Sequence, residues 1–315
     1  MNPLFFFVLF LLAFFIVCFV GLWLFWLWRY GQPGKDFVPI LVYHKIDTKF
    51  ELGGTWNIPR QFARQMNYLK ENNYQPLSLN KLIEYYRTGK QPVAKSFVLT
   101  FDDGYENIYT YAYPVLKENG FTATIFVVTD FIGKENTWDV NFFGRKFRQM
   151  DLSQIQEMAK AGFIIGSHTK THSDLTRMNP QEVKRELKES KEILEQHLNV
   201  PVQFLSYPFG RYNQKVEEIA EEAGYLAACA FYPTCPPPAM AGFGRRERQN
   251  NIIDFFALKR TGVYIVDTTF DLKIKLNPKS PLYWIEDITG RIINFCANGT
   301  IIFKKRALKN SLSDF

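Results

Sequence analysis

Apolar runs rich in β-branched and aromatic residues alternate with amphipathic stretches along most of the chain. Each apolar run has the length of a strand, and each amphipathic stretch repeats its apolar positions with the period of a helix. The predicted strands cover residues 38–43, 97–101, 124–128, 163–167, 203–207, 226–230 and 259–263. Alternation of this kind is typical of βα units around a parallel sheet.

Helical patterns fill the intervals between these strands. The predicted helices cover residues 59–71, 79–86, 108–119, 152–161, 180–198, 214–223 and 269–276. Three of them end beside a glycine, at Gly120, Gly162 and Gly224. Glycine is the residue best suited to the left-handed C-cap of a helix. Seven strands with helices between them predict an α/β fold and suit a barrel.

The N-terminal segment differs from the rest of the chain because it is almost free of charge. Residues 4–28 contain no charged side chain, and a helix of that length would cross a hydrocarbon core of roughly 30 Å. Aromatic residues from Trp23 to Tyr30 lie at its end, where such rings favour the membrane interface. A cleaved signal peptide is the alternative, but its apolar run is usually no longer than about 15 residues. We predict a transmembrane anchor at residues 1–30, a linker at 31–37, a main domain at 38–280 and a C-terminal extension at 281–315.

The net charge limits the possible binding partners only in part, and the cysteine content predicts no disulfide framework. The net charge of +7 lies outside the apolar segment and favours approach to anionic lipid or to an acidic glycan. No run of Lys and Arg is interleaved with aromatic residues, so the sequence does not indicate nucleic-acid binding. Three cysteines follow the anchor, and this odd number gives no disulfide framework.

Two adjacent carboxylates, Asp102 and Asp103, follow the second predicted strand in the sequence TFDDG at residues 100–104. In parallel α/β folds, sites are built where strands give way to loops at their carboxyl ends. Adjacent residues at a strand end point in different directions, so one Asp can bind a metal while the other faces substrate or water. A simple Asp-Asp-Gly turn is the alternative.

Two histidines follow the fourth predicted strand in the sequence HTKTH at residues 168–172. On a turn of helix, this spacing would put His168 and His172 on one side, about 6 Å apart, close enough to share one cation. Joined to one carboxylate of the Asp pair, they would form a site of two imidazoles and one carboxylate. Such a site keeps open coordination positions, which a hydrolytic metal needs.

A third motif, Tyr207-Pro208-Phe209-Gly210, follows the fifth predicted strand and has the composition of a tight turn. Backbone N–H groups of such a turn could stabilise a developing oxyanion. An ordinary β-turn without chemistry is the alternative.

The motifs TFDDG, HTKTH and YPFG, in this order and at these separations, resemble those of the polysaccharide deacetylase family (NodB homology, carbohydrate esterase 4). The resemblance extends from about residue 38 to residue 276. The segments PILVYH at 39–44 and LKRTGV at 258–263 further resemble the branch that includes the poly-β-1,6-N-acetylglucosamine deacetylases. The resemblance implies a distorted (β/α)7-type barrel and the hydrolysis of an acetamide on a sugar.

Carried over to this sequence, the resemblance implies that Asp103, His168 and His172 hold a divalent metal and that Asp102 is the general base. A metal would lower the pKa of a bound water and polarise the acetyl carbonyl. Zinc is the expected cofactor, although two His and one Asp also suit iron, cobalt or nickel. The backbone N–H of Phe209 would contact the oxyanion, and the whole YPFG turn would line the substrate site.

One departure from the family concerns the residue that orients the base. Ser206 stands where better-known members have an arginine at the start of the third motif. Arg260, near the last predicted strand, and Arg211, beside the YPFG turn, are both candidates to replace it. The sequence does not decide between them.

A second departure is that no Leu-x-His motif occurs near the C-terminus, so the acid that protonates the leaving amine must come from elsewhere. Of four histidines, two are assigned to the metal and His197 lies in a charged predicted helix. His44 remains, at the end of the first predicted strand, and the similar branch takes its acid from this position. We therefore predict that His44 is the acid; a structural imidazole packed against Tyr43 is the alternative.

The expected substrate is an N-acetylated glycan or a lipid-linked amino sugar, reached at the membrane. Two other readings remain open: a catalytically silent, membrane-tethered glycan-binding protein, and an esterase that removes O-acetyl groups. The intact metal and base residues argue against the first, whereas sequence does not separate amide from ester substrates.

Two features of the sequence predict opposite orientations of the protein in the membrane. Arg29, Lys35, Lys45 and Lys49 follow the apolar segment, and the positive-inside rule alone would place the domain in the cytoplasm. These residues are spread over about twenty positions, and a polysaccharide deacetylase usually implies an extracytoplasmic setting. We expect a single-pass protein of the cell membrane whose main domain is extracytoplasmic.

Overall fold

The computed structural model describes residues 13–22, 38–49, 55–137, 146–231 and 253–277, and several residues between 280 and 293. Residues 13–22, inside the predicted anchor, form an exposed helix, α1. Among the described residues, no helix combines the length and the apolar character needed to cross a membrane. The remainder of the predicted anchor, the linker and most of the C-terminal extension lie outside the described residues.

Parallel strands form the centre of the fold. The strands in the described part of the chain are β1 (Ile40–Tyr43), β2 (Lys45–Ile46), β3 (Trp56–Asn57), β4 (Gln75–Pro76), β5 (Ser96–Phe101), β6 (Thr124–Val127), β7 (Ile164–Ser167), β8 (Phe204–Ser206), β9 (Ala227–Ala230), β10 (Leu258–Lys259) and β11 (Thr261–Gly262). The main sheet has the order β10-β9-β8-β7-β6-β5-β1-β11, with β4 beside β5. Strands β2 and β3 pair separately. Every one of these pairings is parallel.

The last strand segment joins the two ends of the sheet. Arg260 divides it into β10, which pairs with β9, and β11, which pairs with β1. The seven predicted strands are therefore all present, and they form a nearly closed parallel barrel, which confirms the predicted α/β fold class. The sequence did not predict β2, β3 and β4, because strands of two residues are too short to show an alternating pattern.

Helices cover the outside of the barrel. They are α2 (Pro59–Glu71), α3 (Leu79–Thr88), α4 (Tyr113–Asn119), α5 (Leu152–Lys160), α6 (Pro180–Leu198), α7 (Gln214–Glu222) and α8 (Thr269–Lys275). The predicted helix at 108–119 begins with a π-helical turn, because Pro114 has no N–H to donate to the carbonyl four residues earlier. Gly120, Gly162 and Gly224 all have positive φ, as expected at helix ends.

Close packing fills the barrel below its carboxyl edge. A Cβ on Gly166 of β7 would lie 2.5 Å from Cδ1 of Phe126 and 3.0 Å from the carbonyl oxygen of Phe204. Only glycine leaves room for the Phe126 ring there. Cζ of Arg260 lies 5.5 Å from the centre of the same ring. The polar groups of the candidate site therefore rest on an apolar layer.

Candidate active site

The carboxyl ends of the barrel strands bring the sequence motifs together. His44 follows β1, Asp102 and Asp103 follow β5, and His168 follows β7. The YPFG turn, residues 207–210, follows β8. Parallel strands end at the same edge of the barrel, so motifs far apart in sequence meet there.

Asp102 lies in a buried hydrogen-bond network centred on Arg260. Nη1 and Nη2 of Arg260 donate to Oδ1 and Oδ2 of Asp102 over 2.7 and 2.6 Å. The hydroxyl of Ser206 donates to Oδ2 of Asp102 over 3.2 Å and accepts from Nη2 of Arg260 over 2.8 Å. Thr100 accepts from Nη1 of Arg260 over 3.3 Å and donates to the carbonyl oxygen of Leu41. The guanidinium therefore binds the carboxylate with the paired geometry that makes such contacts strong.

Of the two arginines considered for orienting Asp102, only Arg260 contacts it. Arg211 instead directs Nη1 at Oδ2 of Asp174, 2.8 Å away. Ser206 has no charge of its own, but it contacts both Asp102 and Arg260 from β8. Arg260, which lies between β10 and β11, thus makes the contact with Asp102 that the family pattern assigns to an arginine at the position of Ser206.

For each of the two carboxyl groups, burial raises the pKa and the neighbouring positively charged groups lower it. Burial tends to raise the pKa of Asp102, but the charge and hydrogen bonds of Arg260, together with the charges of His168 and His44, outweigh it and the pKa lies below its usual value. Burial likewise opposes ionisation of Asp103, whereas the imidazoles of His168 and His172, when they carry a proton on Nε2 in the absence of a metal, hold its pKa well below the usual value. Both carboxylates are therefore ionised at neutral pH.

Asp103, His168 and His172 form a buried cluster with the donor set of a metal site. Nε2 of His168 and Nε2 of His172 lie 3.4 and 3.2 Å from Oδ1 of Asp103. The possible ligand atoms of the three residues all lie within 4.8 Å of one another. Nδ1 of His168 lies 2.7 Å from the carbonyl oxygen of Ser206, which requires a proton on Nδ1 and leaves Nε2 to bind a cation. These residues fit a divalent metal.

The segment that carries the two histidines is not helical, so the expectation of a helical turn at 168–172 was wrong. Thr169 and His172 both have positive φ, at 66° and 58°. Local hydrogen bonds replace the helical ones: Thr169 N–H donates to Oγ of Ser167, and His172 N–H donates to Oγ1 of Thr169. The imidazole rings nevertheless converge, with centroids 4.9 Å apart.

Left-handed backbone recurs around the cluster. Asp103 has φ 69° and Phe209 has φ 60°, in addition to the two residues of the histidine segment. Non-glycine residues adopt this region at a cost of about 1–3 kcal/mol each, and such residues tend to cluster at functional sites. The Asp-Asp-Gly segment is therefore both the turn and the carboxylate pair that its sequence suggested.

His44 lies at the mouth of the barrel, half-buried beside Phe231, with ring centroids 6.1 Å apart. The preceding residue, Tyr43, points the other way and donates its hydroxyl to Oε1 of Gln65 on α2. Burial lowers the pKa of His44, and the charges of Asp103 and Asp102 oppose this shift. The imidazole is therefore within electrostatic reach of both carboxylates and is not packed as Tyr43 is.

The YPFG turn presents only part of its residues to a ligand. Tyr207 and Pro208 are buried, whereas Phe209 and Gly210 are half-buried. The ring of Phe209 packs edge-on against His172, with centroids 4.7 Å apart. Tyr207 stacks on Tyr212 and so supports the turn from inside. Phe209 and Gly210 are therefore the residues of this motif with surface open to a ligand, and the assignment of Tyr207 and Pro208 to the substrate site stays a prediction.

The sequence reasoning missed one buried acidic residue next to the site. Glu186 of α6 accepts hydrogen bonds from the backbone N–H groups of Lys170 and Thr171, each over 2.9 Å. A signal was available in the helix pattern, because Glu186 occupies the buried stripe of α6 between Val183 and Leu187. A charge in an apolar stripe is rarely left without a partner.

The fold and the site together define a parallel α/β barrel with a buried cluster of one aspartate and two histidines, suited to hold a metal, at its carboxyl edge. A family model described as polysaccharide deacetylase matches residues 89–228. The segment that carries Asp102, Asp103, His168 and His172 thus matches the polysaccharide deacetylase family.

Relatives of this family agree with that assignment. YxkH of Bacillus subtilis (strain 168), whose name assigns it to the polysaccharide deacetylases, is 34% identical over 64% of this chain and 66% of its own length. The poly-β-1,6-N-acetyl-D-glucosamine N-deacetylase of Staphylococcus aureus (strain MRSA252) is 28% identical over 52% of this chain and 57% of its own. The chain thus spans somewhat less than two thirds of the length of these relatives.

A solved structure supports the same fold. The deacetylase PplD of Streptococcus pyogenes, determined in complex with acetate, superposes with a TM-score of 0.63 and 25% identity. The match covers 76% of this chain and 98% of PplD.

Replacing Arg260 should strongly destabilise the fold. Arg260→Gln would leave Asp102 buried without its cation, and breaking such a pair typically costs about 3–5 kcal/mol. We expect that loss in the free energy of unfolding measured with urea at neutral pH. The pKa of Asp102 is lowered on folding, so the difference should persist above pH 3.8 and shrink as the pH falls below it.

Arg211→Gln is the matched control, because Arg211 is partly exposed and pairs with Asp174 outside the metal cluster. We expect it to cost less than Arg260→Gln does, about 1 kcal/mol, because Asp174 keeps a second cation, with Nε of Arg177 3.3 Å from its Oδ2. Equal stability of the Arg260→Gln and Arg211→Gln proteins would contradict the role assigned to the buried pair.

Proposed function

We propose that this protein is a metal-dependent hydrolase that removes N-acetyl groups from an amino-sugar polymer or glycolipid. The observation that carries the proposal is that an ionised aspartate and a cluster of one aspartate with two histidines lie side by side at one edge of the barrel. Asp102 is ionised and held by Arg260, while Asp103 completes a buried cluster with two histidines. The names of the relatives from S. aureus and S. pyogenes support deacetylation as the reaction.

A divalent cation at Asp103, His168 and His172 would supply an activated water and a polarised acetyl carbonyl. Zinc is the metal we propose, and the same donor set also suits iron, cobalt and nickel. The Nδ1–H of His168 is held by the carbonyl of Ser206, the kind of outer contact that fixes a metal-ligating imidazole.

Asp102 is the proposed general base. Its lowered pKa keeps the carboxylate ready to take a proton from water as the water attacks the acetyl carbon. Arg260 contacts both oxygens and so fixes the direction of the carboxylate. In the proposed site the backbone N–H of Phe209 donates to the oxyanion that forms on the acetyl group.

His44 is the proposed general acid. Cleavage of the C–N bond leaves an amine nitrogen that must gain a proton before it departs. His44 stands half-buried at the mouth, on the same edge as Asp102 and Asp103. Water would thus contribute its hydroxyl to acetate, and the sugar would keep a free amine.

Acetate release tests the reaction itself. The purified protein should release acetate from N-acetylglucosamine oligomers, lose this activity with a chelator and regain it with zinc, at about one metal per chain. His168→Ala and His172→Ala should each weaken metal binding strongly, because two protein ligands leave an incomplete site. Full activity of metal-free protein would overturn the proposal.

The same assay separates the alternatives. Release from O-acetylated but not N-acetylated glycans would identify an esterase. Metal binding and glycan binding without any acetate release would identify a silent binding protein. A panel that varies the linkage of the oligomer, and includes a lipid-linked amino sugar, would define the substrate.

The acid and base should titrate on opposite limbs of a bell-shaped pH profile of kcat/KM. Activity should rise as Asp102 ionises and fall as His44 loses its proton. Burial lowers the pKa of His44, so we expect this fall at a lower pH than for an exposed histidine. His44→Ala should retain metal, lose the alkaline limb and reduce turnover by about 10²- to 10⁴-fold.

Two variants control this experiment. Asp102→Asn should also retain metal but lose the acid limb, because Asp103 and not Asp102 belongs to the metal cluster. His197→Ala should change nothing, because His197 is exposed on α6. Near-normal turnover and an unchanged profile for His44→Ala on an N-acetyl substrate would show that the assignment is wrong.

We further propose that the N-terminal segment anchors the protein in the cell membrane with the main domain outside the cytoplasm. Residues 4–28 carry no charge, and the apolar side chains of Phe15 and Phe19 in α1 are 66% and 72% exposed. Protease added to intact cells should digest the domain. Protection until lysis would place the domain in the cytoplasm and favour a lipid-linked substrate.

A further inference from the structure

We propose that Glu186 is a positioning residue for the metal site, acting through the backbone that joins the two histidine ligands. The inference rests on the proposed metal site and adds a residue from a different element, α6. Glu186 is 6% exposed and lies six residues after Pro180, nearly two helical turns from the start of that helix. Its carboxylate faces the segment between His168 and His172.

Three hydrogen bonds converge on this carboxylate. Oε2 accepts from the backbone N–H groups of Lys170 and Thr171, each over 2.9 Å, and Oε1 accepts from the Thr171 hydroxyl over 2.7 Å. Hydrogen bonds to an ionised acceptor are roughly twice as strong as neutral ones. Both oxygens of Glu186 are therefore committed to two adjacent residues that lie between the ligands.

The histidine segment needs such an external support because its own backbone is unfavourable. Residues 169 and 172 have positive φ, so neither a helix nor a strand supplies the partners of the N–H groups between them. Without Glu186, the N–H groups of Lys170 and Thr171 would have to turn towards other acceptors. Any such rotation moves the imidazoles of His168 and His172 relative to Asp103.

Helix α6 holds the start of the same segment with a second side chain. Oγ of Ser190 lies 2.8 Å from Oγ of Ser167, and Ser167 in turn accepts from Thr169 N–H. Ser190 stands one turn after Glu186 on the buried face of α6. The helix thus contacts the segment before and between the ligands, which explains why two polar residues occupy its buried face.

Glu189 provides a matched control on the same helix. Its carboxylate pairs with the side chain of Lys170, Nζ to Oε2, over 2.6 Å, and the Glu189 side chain is 42% exposed. It therefore touches the same residue as Glu186 does, but not the backbone. A charge effect on the site would appear in both variants, whereas a positioning effect would appear only at Glu186.

The experiment is a titration of full-length, metal-free protein in detergent with Zn²⁺ and, separately, Co²⁺, at a temperature where each variant is folded. Glu186→Gln keeps the shape of the side chain but removes the charge and one acceptor. We expect Zn²⁺ affinity to fall by about 10- to 100-fold, the usual effect of losing an outer contact of a metal ligand. The visible absorption of bound Co²⁺ should also change, because its ligands move.

Glu189→Gln should bind both ions as the wild type does. Thr171→Val, which removes one of the three hydrogen bonds, should give a smaller loss and carries the test if Glu186→Gln does not fold. Wild-type affinity and an unchanged Co²⁺ spectrum in Glu186→Gln, or in Thr171→Val in that case, would overturn the inference. Failure of the wild type to bind either ion would instead overturn the proposed metal site, and the inference with it.

Discussion

The buried ion pair between Arg260 and Asp102 is the interaction on which both the barrel and its site depend. Each charge taken out of water carries a desolvation penalty of several kcal/mol, which only a well-formed partner offsets. Arg260 lies between β10 and β11, in the segment that joins the last strand to the first. Closing the barrel is therefore the step that pairs the charges, and the pairing in turn holds the barrel closed. A chain that failed to close would leave two ions in an apolar interior.

A second buried pair fixes the closing segment from behind. Nζ of Lys275 donates to the carbonyl oxygen of Gly262 over 2.9 Å and to Oδ2 of Asp267 over 2.5 Å. Nε2 of Gln65, on α2, donates to the backbone carbonyl of Asp267 over 2.9 Å. Helix α8, which follows the barrel, and helix α2, which follows the first strands, thus both contact the loop that holds Asp267. This loop begins directly after β11, so the position of Arg260 depends on residues that have no part in the chemistry.

Local signals in the sequence were enough to predict the seven barrel strands and the seven helices around them. Apolar periodicity and helix-end glycines are local properties, and the motif residues could be located because parallel strands end at one edge. Other features depend on contacts between distant parts of the chain. Arg260 could not be chosen over Arg211 because that choice depends on which side chain enters the barrel opposite Asp102, 158 residues earlier. The histidine segment was expected to be helical because its spacing alone does not reveal Glu186.

The layering of the barrel interior explains why the charged groups collect at the carboxyl edge and not deeper. Gly166 leaves room for the ring of Phe126, and this ring fills the interior directly below the guanidinium of Arg260. The guanidinium contacts this aromatic face while its Nη1 and Nη2 atoms keep their hydrogen bonds. Arg260 therefore directs its N–H groups towards Asp102 and Ser206 at the edge. Asp103, one residue beyond Asp102, has left-handed backbone and directs Oδ1 at the two histidines, so the chain turns away from the strand at the residue that joins the cluster.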